Sequence, residues 1–511
     1  MPTMTAMGRD VRGRRRSGML GNLGQRGVSS IKEPNLMQDS HPVHVSAPFS
    51  TTSVRAPWRE RASWALYDFA NTIFSMNVAT LYFSVWLIKD LGASSTLYAI
   101  GNGLSSLLVV LSVPVLGTLS DVRRRRKPWV VGFTIASCLA CAAIGIFGQT
   151  TLPLVGAQTI GATTTLSIWH PTAGTFAWVI LAFVVANYTY QAAQPFYNAM
   201  MAELVPPAER GRLSGIGTAV GYVGTIVGLL LIFPFFGGEL PLFGPLPAGF
   251  VGALRAAVPF TSHAGRVSTF VPTALLFLLF SFPLFAFCRD HAPAMEKTAI
   301  SWRQAFRDVW NTLRDAHRYP GTIPFILASF LYQDAIGTIV SFMAIYAIKA
   351  MKFPDGTETT LFLVLTIPAI FGSYLAGILT DRLGPRRTLV LTIVGWIALL
   401  IAMVLVPSQK AFWGVGLLIG LIFGGVPTAE RPMLLSLVPK EEAGRFFSLM
   451  LLSSRAAAVV GPLIWATTVD VLEPVQGTGL AYRAAVLTVI AMFAASLILM
   501  RRVPDQSQAR T

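Results

Sequence analysis

Charged residues are scarce in this 511-residue sequence, and their scarcity excludes an ordinary soluble fold. Asp, Glu, Lys and Arg make up 13% of the chain, whereas soluble domains carry roughly 25%. Hydrophobic residues reach 53%, and the mean hydropathy is +0.59. A chain this long with so few charges cannot cover a water-exposed surface, so we expect lipid to be the solvent for most of it.

Residues that carry chemistry are few as well. The three cysteines lie in apolar segments, and the six histidines lie in the N-terminal tail or in predicted loops, so the sequence shows no metal-ligand or catalytic cluster. A Gly-Lys-Ser/Thr nucleotide motif is also missing. The sequence therefore predicts a protein that is not an enzyme, holds no cofactor or metal, and does not use ATP.

The basic residues point to membrane orientation rather than to nucleic acid. The net charge of +16 is carried by clusters that lie between the apolar stretches, and basic loops of this kind set the topology of membrane proteins. We expect no nucleic-acid partner, because no folded basic domain remains once the apolar segments are removed. The region before residue 62 is basic and lacks the apolar run of a signal peptide.

Twelve segments are long and apolar enough to cross a bilayer, which takes roughly 20 residues of helix. The predicted fold is an all-α membrane protein with twelve transmembrane helices. Loops rich in Lys and Arg alternate with loops that hold few, so both termini are predicted to be cytoplasmic. We expect the bacterial cytoplasmic membrane, or the vacuolar membrane if the chain is eukaryotic. The segments are 62–88, 96–120, 128–148, 175–203, 212–236, 268–288, 322–348, 360–380, 386–407, 411–432, 444–468 and 481–500.

Three short motifs recur in the same order in both halves of the sequence, at offsets of 260, 233 and 266 residues. Such an order predicts two parallel six-helix repeats. The paired motifs are Gly117-x-x-x-Asp121 with Gly377-x-x-x-Asp381, Gly211–Arg212 with Gly444–Arg445, and Asp68 with Asp334. The predicted parts of the chain are a disordered basic cytoplasmic tail 1–57, a six-helix bundle 58–288, a cytoplasmic linker 289–321, a second six-helix bundle 322–501 and a cytoplasmic tail 502–511.

Two of these motifs resemble known families. Gly377-x-x-x-Asp381-Arg382-x-Gly384-x-Arg386-Arg387 is similar to the signature loop of the major facilitator superfamily, and its first-half copy departs from that pattern at Val122. The stretch Trp64–Ala65–Leu66–Tyr67–Asp68–Phe69–Ala70–Asn71–Thr72 resembles the opening of the vacuolar amino-acid effluxer family, which is autophagy-related and has bacterial members. The resemblance implies the major facilitator fold and a transporter of neutral amino acids.

Ionisable side chains inside the apolar segments are the first candidates for transport, because a charge at mid-depth costs about 3 kcal/mol or more. Asp68 and Asp334 are expected to bind a substrate amine or a proton; the alternative is a structural tie or helix cap. Arg455 is expected to bind a substrate carboxylate or to pair with Asp334. Its alternative is a static salt bridge to Glu430 or to either Asp.

Amide side chains form a second group of candidates. Four of them share one face of the fourth segment, and they are predicted either to line a cavity or to join helices by hydrogen bonds. Asn71 is grouped with them as a substrate contact. Glu430 and Arg431 are expected to form an ion pair that latches the cytoplasmic end. The four amides are Asn187, Gln191, Gln194 and Asn198.

The signature loops are expected to have a mechanical role. The resemblance implies that Asp121 caps a helix of the other half in the outward-open state, and Gly117 and Gly377 are expected to let helices approach closely. A topology signal alone is the alternative. The other gating candidates are Arg212, Asp381, Arg382, Gly384, Arg386 and Arg445.

These features predict a secondary active transporter of small solutes that works by alternating access. Amino acids or similar small metabolites are the expected substrates, with proton coupling. A multidrug or metabolite efflux transporter is the alternative within this class, and a non-transporting membrane receptor or scaffold is the alternative outside it. We expect the lipid bilayer, a small-molecule substrate and protons as partners, and a monomer.

Overall fold

The computed structural model describes residues 55–93, 95–150, 154–160, 164–169, 173–240, 244–261, 264–291, 307, 319–353, 357–457 and 460–505. The predicted tail 1–57 lies outside the described residues except for its last three positions. Most of the predicted linker 289–321 and the end of the tail 502–511 also lie outside them.

Twelve helices in the described part of the chain are long and apolar enough to cross a membrane, which confirms the predicted spans. They are α1 (Trp58–Phe74, continued by the π-helical turns Ser75–Tyr82 and Trp86–Asp90 around Phe83–Val85), α2 (Ser95–Arg123), α3 (Lys127–Thr150), α4 (Ala173–Leu204), α5 (Arg210–Phe236), α6 (Phe270–Phe287), α7 (Thr322–Lys349), α8 (Thr357–Leu383), α9 (Pro385–Leu405), α10 (Gln409–Phe423 and Gly425–Leu437), α11 (Ala443–Ala457 and Val460–Gln476) and α12 (Thr478–Met500).

Short elements lie in the connections between these helices. Two antiparallel hairpins follow α3 and α5, and a small apolar helix, Ala248–Ala257, precedes α6. Single 3₁₀ turns, Pro207–Glu209, Arg266–Thr269 and Lys440–Glu442, precede α5, α6 and α11. The hairpin strands are β1 (Leu154–Ile160), β2 (Thr164–Trp169), β3 (Glu239–Leu240) and β4 (Gly244–Pro245).

The outer surface of the helices is apolar. Leu139, Phe282, Phe371 and Leu405 are all more than 60% exposed, and many other large apolar side chains on the same helices are exposed with them. A water-soluble surface seldom carries a continuous apolar patch of this kind. The surface therefore suits hydrocarbon, and the polar side chains in the interior need partners there.

The helices pack as two halves, α1–α6 and α7–α12. Within the first half α3 packs on α4 and α6, and α1 packs on α5 and α6; within the second half α12 packs on α7, α9 and α11. The halves meet through α5 with α8 and α10, and through α11 with α2 and α4. Helices from both repeats therefore surround a shared central region.

One end of the bundle carries the short basic loops, and we call it the basic face (residues 124–126, 205–209, 384, 438–442 and 501–505). Arg126 donates a hydrogen bond to the Lys440 carbonyl, and Arg210 donates to the Leu435 carbonyl at 2.9 Å. The halves are thus in direct contact at this end. Farther from it, the second segment of α11, Val460–Gln476, packs on α7 and α12 of its own half.

Glycine permits the close crossing of α8 and α10 in the second half. A Cβ atom on Gly372 would overlap the carbonyl oxygen of Leu421, and one on Gly420 would lie 2.5 Å from the carbonyl oxygen of Leu365. These neighbours are backbone atoms, which cannot rotate away. Small residues at such crossings let membrane helices pack by direct backbone contact.

Gly372→Ala should therefore destabilise the protein although alanine favours a helix. Overpacking typically costs about 1–3 kcal/mol, so we expect a lower thermal midpoint for the purified protein in detergent. Gly337→Ala in α7 is the matched control, because a Cβ there meets nothing within 4 Å. Equal midpoints for the two variants would contradict the close α8–α10 crossing.

Candidate functional site

The carboxylate of Asp121, at the end of α2, caps the start of α11 in the other half. It accepts hydrogen bonds from the backbone N–H groups of Gly444 (3.0 Å) and Arg445 (2.7 Å). Unpaired N–H groups at a helix N-terminus attract an anion. A side chain at position 444 would displace this carboxylate, since a Cβ there would lie 2.7 Å from its oxygen.

Asp381, at the end of α8, makes the equivalent contact with the start of α5. Its two oxygens accept from the backbone N–H groups of Gly211 (2.8 Å) and Arg212 (2.9 Å). Asp121 therefore caps a helix of the other half, as the resemblance implies, and its counterpart in the repeat, Asp381, does the same. Each one joins one half of the protein to the other at the basic face.

Arg126 strengthens the Asp121 contact, a role that the sequence analysis did not predict. Its guanidinium lies 3.4 Å from Asp121 and 2.8 Å from Glu203, and it donates to the carbonyls of Ala199 and Lys440. The side chain is almost fully buried. The only signal in the sequence was its place in a basic run, which did not distinguish it from its neighbours.

Glycines of the signature motifs lie directly under these contacts. A Cβ on Gly117 would lie 2.8 Å from the Gly444 carbonyl, and one on Gly377 would lie 2.8 Å from the Gly211 carbonyl. Close approach of the halves therefore requires glycine at 117 and 377.

The remaining residues of the signature loop have local partners. Arg386 donates to the Met500 carbonyl at 3.2 and 3.3 Å, which ties α9 to α12. Gly384 has a φ of 90° just before α9, a backbone conformation that favours glycine. The Arg445 side chain pairs with Glu442, and Arg382 is exposed.

An ion pair between the halves lies deeper in the bundle. The Arg431 guanidinium, on α10, donates to both oxygens of Asp68 on α1, at 2.8 and 3.2 Å. Both side chains are largely buried. A two-pronged contact of this kind is the strongest geometry for arginine and carboxylate.

The predicted ion pair of Glu430 with Arg431 is wrong. Glu430 instead accepts hydrogen bonds from Ser329 (2.8 Å), Tyr332 (2.7 Å) and Gln333 (2.8 Å) of α7, within its own half. Adjacent residues of a helix point in directions about 100° apart and do not face each other. Glu430 therefore faces its own half, and Arg431 faces across the interface.

Two aromatic rings lie against the guanidinium of Arg431. It lies 5.6 Å from the ring centres of both Trp64 and Tyr197, a distance at which a cation is attracted to a ring face. The two rings stack at 4.6 Å. Trp64 donates its indole N–H to the Tyr197 carbonyl, and Tyr197 donates its hydroxyl to the Trp64 carbonyl, both at 3.0 Å.

Asp334 does not occupy the same kind of site as Asp68, its counterpart in the sequence repeat. One of its oxygens accepts from the backbone N–H of Gly461 on α11 at 2.7 Å. The other is buried and has no hydrogen-bond partner in the described part of the chain. Glycine at 461 allows the contact, because a Cβ there would lie 2.8 Å from that second oxygen.

The four amides of α4 divide between two roles. Asn187 donates to Asn102 (3.0 Å) and Ser105 (2.8 Å) on α2, which is a helix-to-helix contact. Gln194 donates to Asn71 on α1 at 2.7 Å. The oxygens of Gln191 and Asn198 are buried without a partner among the described residues; Gln191 is 1% exposed.

Arg455 lies about three turns into α11 and faces the first half. Its Nε is buried, and no hydrogen bond or ion pair to it occurs within the described residues. The predicted bridges to Asp334, Asp68 or Glu430 are therefore wrong, because those carboxylates have the other partners given above. Its neighbour is Tyr190 of α4, whose hydroxyl lies beside Ser75 and Asn71 of α1.

A cavity of about 310 Å³ lies between the halves, beyond the Asp68 contact as seen from the basic face. Thr72, Ser75 and Met76 of α1 and Tyr222 of α5 line it from one side, and α7–α10 line it from the other. Most of its surface is apolar. Ser75 lines this cavity and also lies beside the Tyr190 hydroxyl, so the cavity adjoins the cluster of Tyr190 and Arg455.

The sequence comparisons agree on one protein family. The profile of the Major Facilitator Superfamily matches residues 13–228, 69–462 and 325–511. The MFS-type transporter YxiO of Bacillus subtilis is 22% identical over 88% of this chain and 96% of its own length. Autophagy-related protein 22 of Kluyveromyces lactis is 21% identical over 37% of this chain and 41% of its own.

Two further comparisons give one more relative and one solved structure. The multidrug resistance protein MdtG of Proteus mirabilis is 24% identical over 76% of this chain and 82% of its own length. Among solved structures, the transporter FucP in the outward conformation covers 88% of this chain and 98% of its own, with a TM-score of 0.62 at 13% identity. That likeness shows the fold.

Asp381→Asn should loosen the basic face, because an amide has one accepting oxygen and no charge. A carboxylate at a helix N-terminus contributes about 0.3–2 kcal/mol, which predicts roughly two- to thirty-fold faster maleimide labelling of a Ser448→Cys reporter buried between α11 and α2. Asp505→Asn is the control, since Asp505 pairs with Arg387 beside the contact. Equal labelling of both variants would show that Asp381 does not hold the halves together.

Proposed function

The chain belongs to the Major Facilitator Superfamily and is a multi-pass membrane transporter, and from that premise we propose that it carries amino acids or closely related carboxylate-bearing metabolites by alternating access. The proposal is most strongly supported by one observation, the arginine at 455. A second observation supports alternating access: contacts between the two halves close the bundle at the basic face.

Arg455 is a charge at membrane depth, and none of the described residues provides a counter-ion for it. A charge at this depth costs about 2.5–3.5 kcal/mol, and it is retained where it has a partner or a function. Asp68 and Asp334 are engaged elsewhere, with Arg431 and with Gly461. A substrate carboxylate would supply the anion, and the planar guanidinium would bind it through two parallel hydrogen bonds.

Neutral polar groups around Arg455 suit the rest of such a substrate. Tyr190, Ser75 and Asn71 cluster beside it, and Gln194 fixes the Asn71 amide. Hydroxyls and amides both donate and accept hydrogen bonds. The adjoining apolar cavity would take an uncharged side chain, which favours neutral amino acids over charged ones.

The orientation follows from the basic face, which we assign to the cytoplasm, with both termini on that side. The contacts of Asp121, Asp381 and Arg126 then close the cytoplasmic end. The cavity lies on the outer side of these contacts. On that assignment, the closed cytoplasmic end corresponds to the outward-facing state of the proposed cycle, and transport requires these contacts to break.

Protons are the proposed coupling ion, with Asp68 as their site. Its ion pair with Arg431 joins the halves at depth. A proton on Asp68 would replace the contact with Arg431 and release the halves there, and loss of that proton would restore the negative charge of Asp68.

Multidrug or metabolite efflux remains the second candidate. The apolar cavity, with Met76, Trp396, Phe412 and Phe423 in its wall, would accept lipophilic compounds, and the similarity to MdtG covers most of the chain. This reading predicts transport without a requirement for a carboxylate.

Purified protein in proteoliposomes should take up labelled neutral amino acids, and a pH gradient should accelerate the uptake. Unlabelled amino acids should compete, whereas their methyl esters should not, because they lack the anion that Arg455 binds. Flux of lipophilic cations without flux of amino acids would favour drug efflux. Absence of any flux from folded protein would favour a receptor or scaffold.

Arg455→Ala should abolish this uptake, and Arg455→Lys should reduce it about ten-fold or more, because lysine lacks the planar fork and a hydrogen bond to a charged group contributes about 1.5–3 kcal/mol. Arg387→Lys is the control, since that arginine lies at the basic face and pairs with Asp505. Normal uptake by Arg455→Ala would remove residue 455 from the substrate site.

A further inference from the structure

The pocket that holds Arg431 is built entirely by the first half of the protein. Its walls are the Asp68 carboxylate and the Trp64 ring from α1 and the Tyr197 ring from α4; we call this pocket the Asp68 cage. Arg431, its occupant, comes from α10 in the second half. The halves must separate at the basic face in alternating access, so pocket and occupant belong to two moving bodies.

The cage does not depend on its occupant for its shape. Trp64 and Tyr197 are joined by two reciprocal hydrogen bonds of 3.0 Å and by stacking at 4.6 Å with their planes 14° apart. Gly217 of α5 supports it from behind, where a Cβ would lie 2.8 Å from an Asp68 oxygen and 3.0 Å from the Trp64 ring. Withdrawal of Arg431 would leave a formed, buried pocket with one negative charge.

The chemistry of the cage is that of a cation site. A carboxylate provides the counter-charge, and two aromatic faces 5.6 Å from the guanidinium carbon add cation–π attraction. Ammonium groups are recognised by the same combination. An empty cage would expose an unpaired charge at membrane depth, which is costly until a cation enters.

We infer that the Asp68 cage is a binding site for the ammonium group of the substrate, and that Arg431 is a tethered competitor that fills it whenever the basic face is closed. The inference rests on the proposed function, to which it adds a cationic group on the substrate. An ammonium ion that enters from the basic face would take the place of Arg431 and keep the halves apart there. Departure of that ion would let Arg431 return and close the end.

Removal of the tethered guanidinium tests the cage with a simple probe. Full-length Arg431→Ala in lipid nanodiscs should bind free guanidinium, seen as a thermal midpoint that rises with millimolar guanidinium chloride and saturates, compared with equal sodium chloride. Wild-type protein should need a much higher guanidinium concentration for the same rise, because Arg431 competes for its cage. The double variant Asp68→Asn, Arg431→Ala should not respond. A response that persists in the double variant, or is missing from Arg431→Ala, would overturn the inference.

A second measurement does not require the arginine to be removed, in case Arg431→Ala fails to fold. Propylammonium should accelerate maleimide labelling of Ser448→Cys in otherwise native protein by displacing Arg431, and propionate should not. Asp68→Asn should abolish the effect of propylammonium. Equal effects of the two ions, or an effect that survives Asp68→Asn, would contradict displacement from the cage.

These probes separate the inference from the proposed substrate. Neither guanidinium nor propylammonium has a carboxylate, so Arg455→Ala should respond to both as the wild-type protein does. Cage binding without amino-acid transport would leave the cage as a cation site and remove the substrate proposal. Amino-acid transport without cage binding would support the substrate proposal and remove the cage as a cation site.

Discussion

A charge at membrane depth requires an opposite charge, a hydrogen-bond donor or water, and the interior of this protein is arranged around that requirement. Asp68 is paired with Arg431. Glu430 accepts hydrogen bonds from three neutral donors of α7, and Asp334 accepts one from a backbone amide. Arg455 is the exception among the charges discussed here. Because these carboxylates have other partners, our proposal assigns Arg455 to the carboxylate of the substrate.

The fold follows from the sequence to a large extent because its main signal is local. Each span is a continuous apolar stretch, and the length needed to cross a bilayer fixes where most of them begin and end to within a few residues. The contact of Asp121 was also predictable, because its motif resembles a known signature loop, and the repeat extends that prediction to Asp381. A sequence motif is enough to predict the partner of a side chain when that partner is a backbone group at a recognisable helix end.

The partners of side chains across the interface were not predictable in this way. Helical periodicity shows that Glu430 and Arg431 point in different directions, but it does not show which helix of the other half lies opposite each of them. The contact of Arg431 with Asp68 joins residues 363 positions apart. Arg126 is a similar case, since its burial depends on α4 and on the loop before α11, which come together only in the folded protein.

The two carboxylate contacts at the basic face use backbone N–H groups as donors, and this has a consequence for how such proteins diverge. The side chains at 212 and 445 take no part in the bonds to Asp381 and Asp121. Substitution there changes what projects from the helix and leaves the donor in place, with proline as the exception because it has no N–H. We therefore expect these two positions to vary among related chains, and we expect each acidic residue and the glycine that donates to it, Gly211 or Gly444, to change only together.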